Sequence, residues 1–353
     1  MKKILAFVLT MAMTASLLVG CTGTIVVIEN PTGNVETKEN TEVAETTETT
    51  EGVVKTGLSV ITNLSGENAT AEANGVVTTD ISLVAVTVND NGVIESCVID
   101  AVQGKVSFDQ TGQLVSEPEE ILSKNELGDD YGMRVASPIG KEWNEQVAHI
   151  AEYAIGKTVE ELKTKAIDEA GVVKDADLAS GATIYMGSFI WAIEDAVNNA
   201  THCGAQSGDQ LVLTSISSSN GSAGATKEVE GSASITSNII AMTTDGDVIT
   251  SCIIDAVQSK AGFGTDGQLA GEVSGSVLSK AQLGEAYGLK AYSGVGKEWN
   301  EQTDAFCEYI TGKTVEEVKG IALTETTAPA EADLASSVTI AVGDFMKLIE
   351  KAK

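Results

Sequence analysis

The sequence is poor in the side chains that most catalytic and nucleic-acid-binding sites use. Only two histidines, His149 and His202, occur in 353 residues, which leaves few places for a multi-histidine metal centre or a histidine-based triad. Lysine and arginine total 22 against 51 aspartates and glutamates, so the chain would repel a nucleic acid backbone. Aromatic residues make up only 4% of the chain, so stacking surfaces are few. The 42% of hydrophobic residues can nevertheless fill packed cores, and the length suggests two domains.

The first 21 residues have the pattern of an export signal. A basic start at residues 1–3 precedes an apolar run over 4–19 that is shorter than a membrane-spanning helix. The run ends in LVGC at 18–21, which resembles the lipobox of bacterial lipoproteins. The resemblance implies that residues 1–20 are a signal peptide. It also implies that Cys21 becomes a lipidated N-terminus on the extracellular face of the cell membrane. An ordinary secretory signal beside an unrelated cysteine is the alternative.

Residues 21–55 have the composition of a linker. Glutamates recur at every third position from Glu36 to Glu51, among many threonines. Like charges keep such a segment extended, and it has too little apolar surface to form a core. We therefore expect a tether between the membrane and the folded part. A solvated acidic helix is the alternative, which the threonines disfavour.

The rest of the chain repeats itself once. The segment SCVIDAVQ at 96–103 returns as SCIIDAVQ at 251–258, and GKEWNEQ at 140–146 returns at 296–302. The first offset is 155 and the second 156, so one single-residue insertion lies between them. A period this long indicates a duplicated domain rather than a solenoid unit. The predicted boundaries are 56–200 for domain 1, 201–211 for a hinge and 212–353 for domain 2.

Both halves have the same predicted order of elements. Residues 83–99 have the pattern of a β-hairpin with a turn at 89–92, and 239–254 match it. A helix is expected around 141–155, and a second one from the capping box of Thr158 and Glu161 to about Ala170. Further helices are expected over 188–198 and 344–352. Strands followed by helices predict an α+β fold, with an antiparallel sheet and packed helices in each half.

A short motif precedes the last helix of the first half, Asp177-Leu178-Ala179-Ser180-Gly181-Ala182-Thr183. It resembles the flavin-attachment motif of the FMN-binding domain family, which includes subunits of ion-pumping oxidoreductases and lipid-anchored electron carriers of Gram-positive bacteria. The resemblance implies that a flavin transferase moves FMN from FAD onto the hydroxyl of Thr183, as a phosphoester. It also implies that Asp177, Ser180, Gly181 and Ala182 belong to the cofactor site, and that the halves are tandem FMN-binding-type domains.

The residue types of the motif suit such a modification independently of the family. Gly181 and Ala182 are small, so they are expected to leave room for the active site of another protein beside the hydroxyl. The helix that begins near Ser188 would offer its positive end to a phosphate on Thr183.

The second half departs from the motif at two positions. Asp333 and Ser336 are retained, but Ser337 and Val338 replace glycine and alanine before Thr339. Valine is expected to add bulk where a transferase would approach, and serine tolerates a left-handed backbone poorly. Carriers of this kind can nevertheless hold two flavins. Whether Thr339 takes a second FMN therefore stays open.

The resemblance implies an electron carrier rather than an enzyme. Its expected partners are a membrane quinone-linked electron donor and an extracellular acceptor such as ferric iron, with FMN as the redox group. A surface lipoprotein that binds a small ligand or peptide without redox chemistry is the alternative. A hydrolase is disfavoured, because the chain lacks a histidine-based nucleophile arrangement.

Several matched residues have both a functional and a structural interpretation, and the structural one is favoured. Those with a conceivable flavin contact are Trp143 with Trp299, Tyr131 with Tyr287, and Lys141 with Lys297. Cys97 and Cys252 are expected to be buried thiols in matched strands. An exported protein would permit a disulfide between Cys203 and Cys307, although no framework spacing supports it.

Overall fold

The computed structural model describes residues 52–115 and 117–352. The predicted signal peptide, Cys21 and the predicted linker up to residue 51 lie outside the described residues. The described chain is part of the folded structure from its second residue, because Val53 forms a β-bridge with Gln206. No helix within the described ranges is long and apolar enough to cross a membrane.

Two antiparallel sheets contain the eight strands of the described chain. The first half provides β1 (Lys55–Glu67), β2 (Gly75–Val88), β3 (Ile94–Phe108) and β4 (Glu120–Ile121). The second half provides β5 (Gln210–Ser218), β6 (Gly231–Asp245), β7 (Val248–Phe263) and β8 (Ser274–Val277). The two predicted hairpins are confirmed as β2–β3 and β6–β7. Gly92 and Gly246 take the left-handed backbone that their tight turns require, with φ of 75° and 59°.

The two halves exchange edge strands. The strand orders are β3-β2-β1-β8 in one sheet and β4-β5-β6-β7 in the other. Thr62 of β1 is thus paired with Val277 of β8, and Glu120 of β4 with Ser218 of β5. Each sheet is therefore completed by a short strand from the other half of the chain.

The helices of the two halves correspond one to one. The first half forms α1 (Lys124–Leu127), α2 (Trp143–Ala154), α3 (Val159–Glu161), α4 (Ala176–Gly181) and α5 (Gly187–Asn198). The second half forms α6 (Lys280–Leu283), α7 (Trp299–Ile310), α8 (Val315–Lys319), α9 (Ala332–Ala335) and α10 (Gly343–Lys351). Short 3₁₀ turns follow α1 and α6 at Gly128–Tyr131 and Gly284–Tyr287, and a π-helical turn follows α3 at Leu162–Ala166.

Most of the expected helix boundaries are confirmed. Both capping boxes form, with Thr158 facing Glu161 and Thr314 facing Glu317. The second predicted helix is shorter than expected, because it leaves helical geometry after Ala166 rather than at about residue 170. Ile167 there forms a β-bridge across a turn, which ends the helix.

The sheets pack against each other, and helices cover their outer faces. One apolar cluster draws on both halves, through Leu58, Val60, Ile81 and Leu83 with Leu213, Ile239 and Val257. In a second shared cluster Phe108 stacks on Phe263, with ring centroids 4.1 Å apart and planes 3° from parallel. Separate cores lie between each sheet and the helices of its own half. The central strands are thus buried on both faces, which explains the unbroken apolar run at 83–86. The predicted α+β class is confirmed.

Candidate functional site

The motif at 177–183 forms the body of α4 and the turn that follows it. Asp175 caps the helix, because its side chain accepts hydrogen bonds from the backbone N–H groups of Asp177 and Leu178. These bonds hold the pKa of Asp175 below its ordinary value. The hydroxyl of Ser180 donates to the carbonyl of Asp177 at 2.8 Å, while the Asp177 side chain is exposed. The sequence motif thus includes residues whose contacts stabilise its own helix.

Thr183 is exposed, and a buried glutamine fixes its position. Oε1 of Gln146, on α2, accepts hydrogen bonds from the Thr183 N–H at 2.7 Å, the Thr183 hydroxyl at 3.3 Å and the Ile184 N–H at 3.3 Å. Nε2 of Gln146 donates to the carbonyl of Lys141 at 3.1 Å and to Oγ of Ser137 at 3.2 Å. Gln146 is fully buried, so this clamp acts away from competing water. It orders the turn and leaves the threonine facing solvent.

The second half repeats this clamp. Oε1 of Gln302 accepts from the N–H of Thr339 at 2.8 Å, from its hydroxyl at 3.2 Å and from the N–H of Ile340 at 3.3 Å. Thr339 is exposed as Thr183 is, and Gln302 is fully buried. Ser336 donates to the carbonyl of Asp333 at 2.7 Å. The two threonines are therefore held by equivalent hydrogen bonds.

The prediction that Val338 would obstruct a transferase approaching Thr339 is wrong. Its side chain is fully buried in the core of the second half, as Ala182 is buried in the first. It therefore adds bulk to the interior and leaves the exposed face of Thr339 unchanged. The expected backbone strain at Ser337 is wrong as well. Its counterpart Gly181 is the last residue of α4 and has no positive φ. The position therefore needs no left-handed backbone, and a serine can occupy it without strain.

Packing within the chain explains why position 181 holds a glycine. A Cβ atom on Gly181 would lie 1.9 Å from Cδ2 of His149, whose ring packs against the glycine. Nε2 of His149 also lies 3.1 Å from the carbonyl oxygen of Asp177. The space that the sequence suggested for another protein's active site is thus filled by α2.

A groove lies directly beside Thr183. It encloses about 400 Å³ and is lined by Gly171, Val172, Val173, Ala179, Ala182, Thr183, Ile184, Tyr185 and Met186. Tyr185 is 52% exposed and packs edge-to-face against Trp191 of α5, which is 43% exposed. Neither aromatic side chain was predicted from the sequence to lie at the site. A signal was available for Trp191, which falls on the opposite side of α5 from its buried residues.

The aromatic surface belongs to the first half alone among the matched positions. Ala341 and Lys347 stand where the first half has Tyr185 and Trp191. The two candidate sites therefore share their threonine clamp and differ in the surface beside it.

The two tryptophans that match in the repeat belong to the cores, as the structural interpretation predicted. Trp143 and Trp299 are each 4% exposed and pack edge-to-face on Phe189 and Phe345. Nζ of Lys124 lies 5.1 Å from the centroid of Trp143 and 4.8 Å from that of the half-buried Tyr131. Lys280 lies in the same way over Trp299 and Tyr287, 5.1 Å from each.

Lys141 lies beside the motif. Its Nζ donates to the carbonyl of Gly181 at 3.4 Å, and the side chain is half-buried. Lys297 is half-buried at the matching position. Each clamp therefore has one cation close to it in sequence, within a chain whose formal net charge is −29.

Two buried aspartates support the fold near these helices. Asp100 accepts hydrogen bonds from the N–H groups of Ala101 at 2.7 Å and Asn125 at 3.0 Å, and so holds the start of α1. Asp255 does the same for α6. Burial raises the pKa of both carboxyl groups, although these hydrogen bonds oppose the shift.

The cysteines differ from expectation in one respect. Cys97 and Cys252 are buried, as predicted. Cys307, however, lies against Cys252, with the Sγ atoms 2.8 Å apart, rather than against Cys203. Within residues 52–115 and 117–352, no group of three or more histidine, cysteine, aspartate or glutamate side chains could hold a metal ion.

Comparisons with known proteins identify no relative with which this site could be compared. No family model, no curated protein and no solved structure matches the chain.

Proposed function

We propose that the protein is a lipid-anchored electron carrier, rather than an enzyme, with FMN joined by phosphoester bonds to Thr183 and Thr339. One observation carries the proposal. An exposed threonine at the end of a flavin-attachment-like motif is held by a buried glutamine in each half, with the same three hydrogen bonds. The hydrogen bonds fix the turn that presents each threonine, as an attachment site would require.

The surroundings of Thr183 fit a flavin phosphate. Thr183 is an exposed residue, so a transferase could reach it once its hydroxyl leaves Oε1 of Gln146. α5 begins four residues later, at Gly187, and its first turn has no side-chain cap in the described structure. Its free N–H groups and positive dipole end would therefore favour an anion. Lys141 supplies a cation next to the motif. In the second half α10 begins at Gly343, likewise without a side-chain cap.

The groove beside Thr183 fits the ring system. Val172, Ile184 and Tyr185 give it an apolar wall, and Trp191, which lines a separate groove, packs edge-to-face on Tyr185. When bound, FMN would supply the redox chemistry, since it accepts two electrons and releases them singly. The protein would supply attachment and orientation, because a diffusible flavin would be lost outside the cell.

The proposed partners follow from location and chemistry. Lipidation at Cys21 would hold the carrier at the extracellular face of the cell membrane, beside a quinone-linked donor. The net charge of −29 would attract cationic acceptors such as ferric iron. A flavin transferase is required for attachment: the threonine oxygen bonds to phosphorus, AMP leaves from FAD, and the hydroxyl proton is lost.

Intact mass spectrometry tests the proposal directly. The mature protein made together with a flavin transferase is expected to carry two adducts, each with the mass of FMN less one water. Thr183→Ala and Thr339→Ala should each carry one adduct, and the double variant none. The adducts should remain yellow after denaturation and desalting.

The same experiment separates the alternative function. Equal, unmodified masses for the wild type and the double variant would contradict the proposal and favour a non-redox lipoprotein that binds a ligand or peptide. An adduct on Thr183 alone would keep the function and remove the second site.

A further inference from the structure

A pair of buried thiols connects sheet and helix in the second half. Cys252 lies on β7 and Cys307 on α7, and their exposed fractions are 4% and 6%. The Sγ atoms are 2.8 Å apart. A disulfide bond is about 2.05 Å long, so bond formation requires an approach of less than about 1 Å. The backbone already brings the two side chains together.

The first half provides an internal comparison. Cys97 on β3 is the counterpart of Cys252, and Ala151 on α2 is the counterpart of Cys307. Both first-half residues are buried at the same contact between sheet and helix. The thiol pair thus arises from a single residue difference on the helix, at a position where the scaffold is otherwise the same.

The pair is accessible to small reagents. Cys252 and Cys307 line a cavity of about 500 Å³, together with Cys203, Asp304, Glu308 and Thr311. Cys203, which lines the same cavity, is half-buried. Burial and the neighbouring sulfur raise the pKa of the Cys307 thiol, so this thiol is protonated at neutral pH in the reduced protein.

We propose that Cys252 and Cys307 form a disulfide that ties α7 to β7. The two thiols lose two protons and two electrons as the S–S bond forms. The electron acceptor is a disulfide of the thiol-exchange class, such as oxidised glutathione or an extracytoplasmic thiol oxidoreductase, which becomes two thiols. An exported protein meets such oxidants. The bond fixes the helix that carries Gln302, and so it stiffens the clamp of Thr339.

Peptide mapping of the full mature protein tests the pairing. The protein is treated with oxidised glutathione, denatured in iodoacetamide and digested with trypsin without reduction. Cys252 then falls in the peptide 228–260 and Cys307 in 298–313, while Cys97 and Cys203 fall in 56–105 and 175–227. The expected product is 228–260 linked to 298–313, released by reduction, with Cys97 and Cys203 alkylated. Alkylation of both partner cysteines, glutathione adducts alone, or a link to Cys203 would overturn the proposal.

Two variants use the repeat as a control. Cys307→Ala introduces the first-half residue and should leave Cys252 fully alkylated, with a lower denaturant midpoint than the oxidised wild type. Reduction should remove that difference. Ala151→Cys should create the equivalent link between Cys97 and the new cysteine. An oxidised wild type no more resistant to denaturant than its reduced form would contradict the proposed tie.

Discussion

The imidazole of His149 packs on the Cα of Gly181, so that a Cβ at this glycine would lie 1.9 Å from the ring. In the second half Ala305 replaces the histidine and Ser337 replaces the glycine. The two differences compensate each other, because the smaller helix residue makes room for the larger one in the turn. What looks in sequence like a damaged motif is therefore a different packing solution at the same place.

This compensation predicts a strong coupling between the two positions. Gly181→Ser alone should reduce the free energy of unfolding by about 1–3 kcal/mol, because its side chain collides with His149. His149→Ala together with Gly181→Ser reproduces the second-half pair and should recover most of that loss. Urea denaturation of the two single variants and the double variant measures the coupling. Additive effects would show that the ring moves aside freely.

The buried glutamines should control modification of their own threonine only. Gln146→Leu removes the acceptor of three hydrogen bonds and leaves N–H groups of the turn without it, at a cost of about 1–3 kcal/mol in unfolding free energy. We expect flavin occupancy to fall in the peptide that contains Thr183. Occupancy at Thr339 should be unchanged.

Gln302→Leu is the matched control and should give the opposite pattern. Mass spectrometry of the tryptic peptides 175–227 and 320–347 reads the two sites separately. Equal losses at both sites in either variant would point to a global effect on folding rather than to a local clamp.

The two flavins should differ in fluorescence. Tyr185 lines the groove at Thr183 and packs against Trp191, whereas Ala341 and Lys347 stand at the matching positions. A nearby indole quenches an excited flavin by electron transfer. The Thr339→Ala variant, with flavin on Thr183, should therefore be dimmer per flavin than Thr183→Ala. Trp191→Leu should brighten the first and leave the second unchanged, and emission normalised to flavin absorbance measures both.

Cys97 should make the stability depend on pH above neutrality. Burial raises the pKa of its thiol to about 12, against about 8.5 for an exposed thiol. The unfolded state therefore releases its proton first, and the free energy of unfolding falls as pH rises from about 8.5 towards 12. Between pH 7.5 and 9.5 the wild type should lose about 1.4 kcal/mol relative to Cys97→Ala. Urea unfolding at both pH values checks this, and a constant difference would contradict it.

Local features of the fold could be predicted from the sequence. The hairpins follow from alternation and turn residues, and the capping boxes of Thr158 and Thr314 mark helix starts whose geometry depends on neighbours in sequence. The burial of Trp143 followed from its size and its position on a helix. The position of the threonine turn at 183, before a helix, was predicted in the same way.

Features that depend on contacts distant in sequence could not be predicted. Nothing in four residues at 274–277 reveals that they complete the sheet of the other half. The direction of the Val338 side chain depends on the packing of α9, which the motif does not specify. The first half has alanine, Ala151, at the position that matches Cys307, so the repeat pattern gives no sign of the contact between Cys307 and Cys252, which depends on how α7 packs on β7.

The mutual completion of the sheets has a mechanical consequence. A protease that cut the connection around residue 204 would not separate the halves, since β4 and β8 would still be hydrogen-bonded across the cut and Phe108 would still stack on Phe263. The halves are therefore not independent domains joined only by a linker. Any two groups mounted on Thr183 and Thr339 would keep a constant spacing, so the rate of exchange between them would be set by the scaffold and not by random encounters.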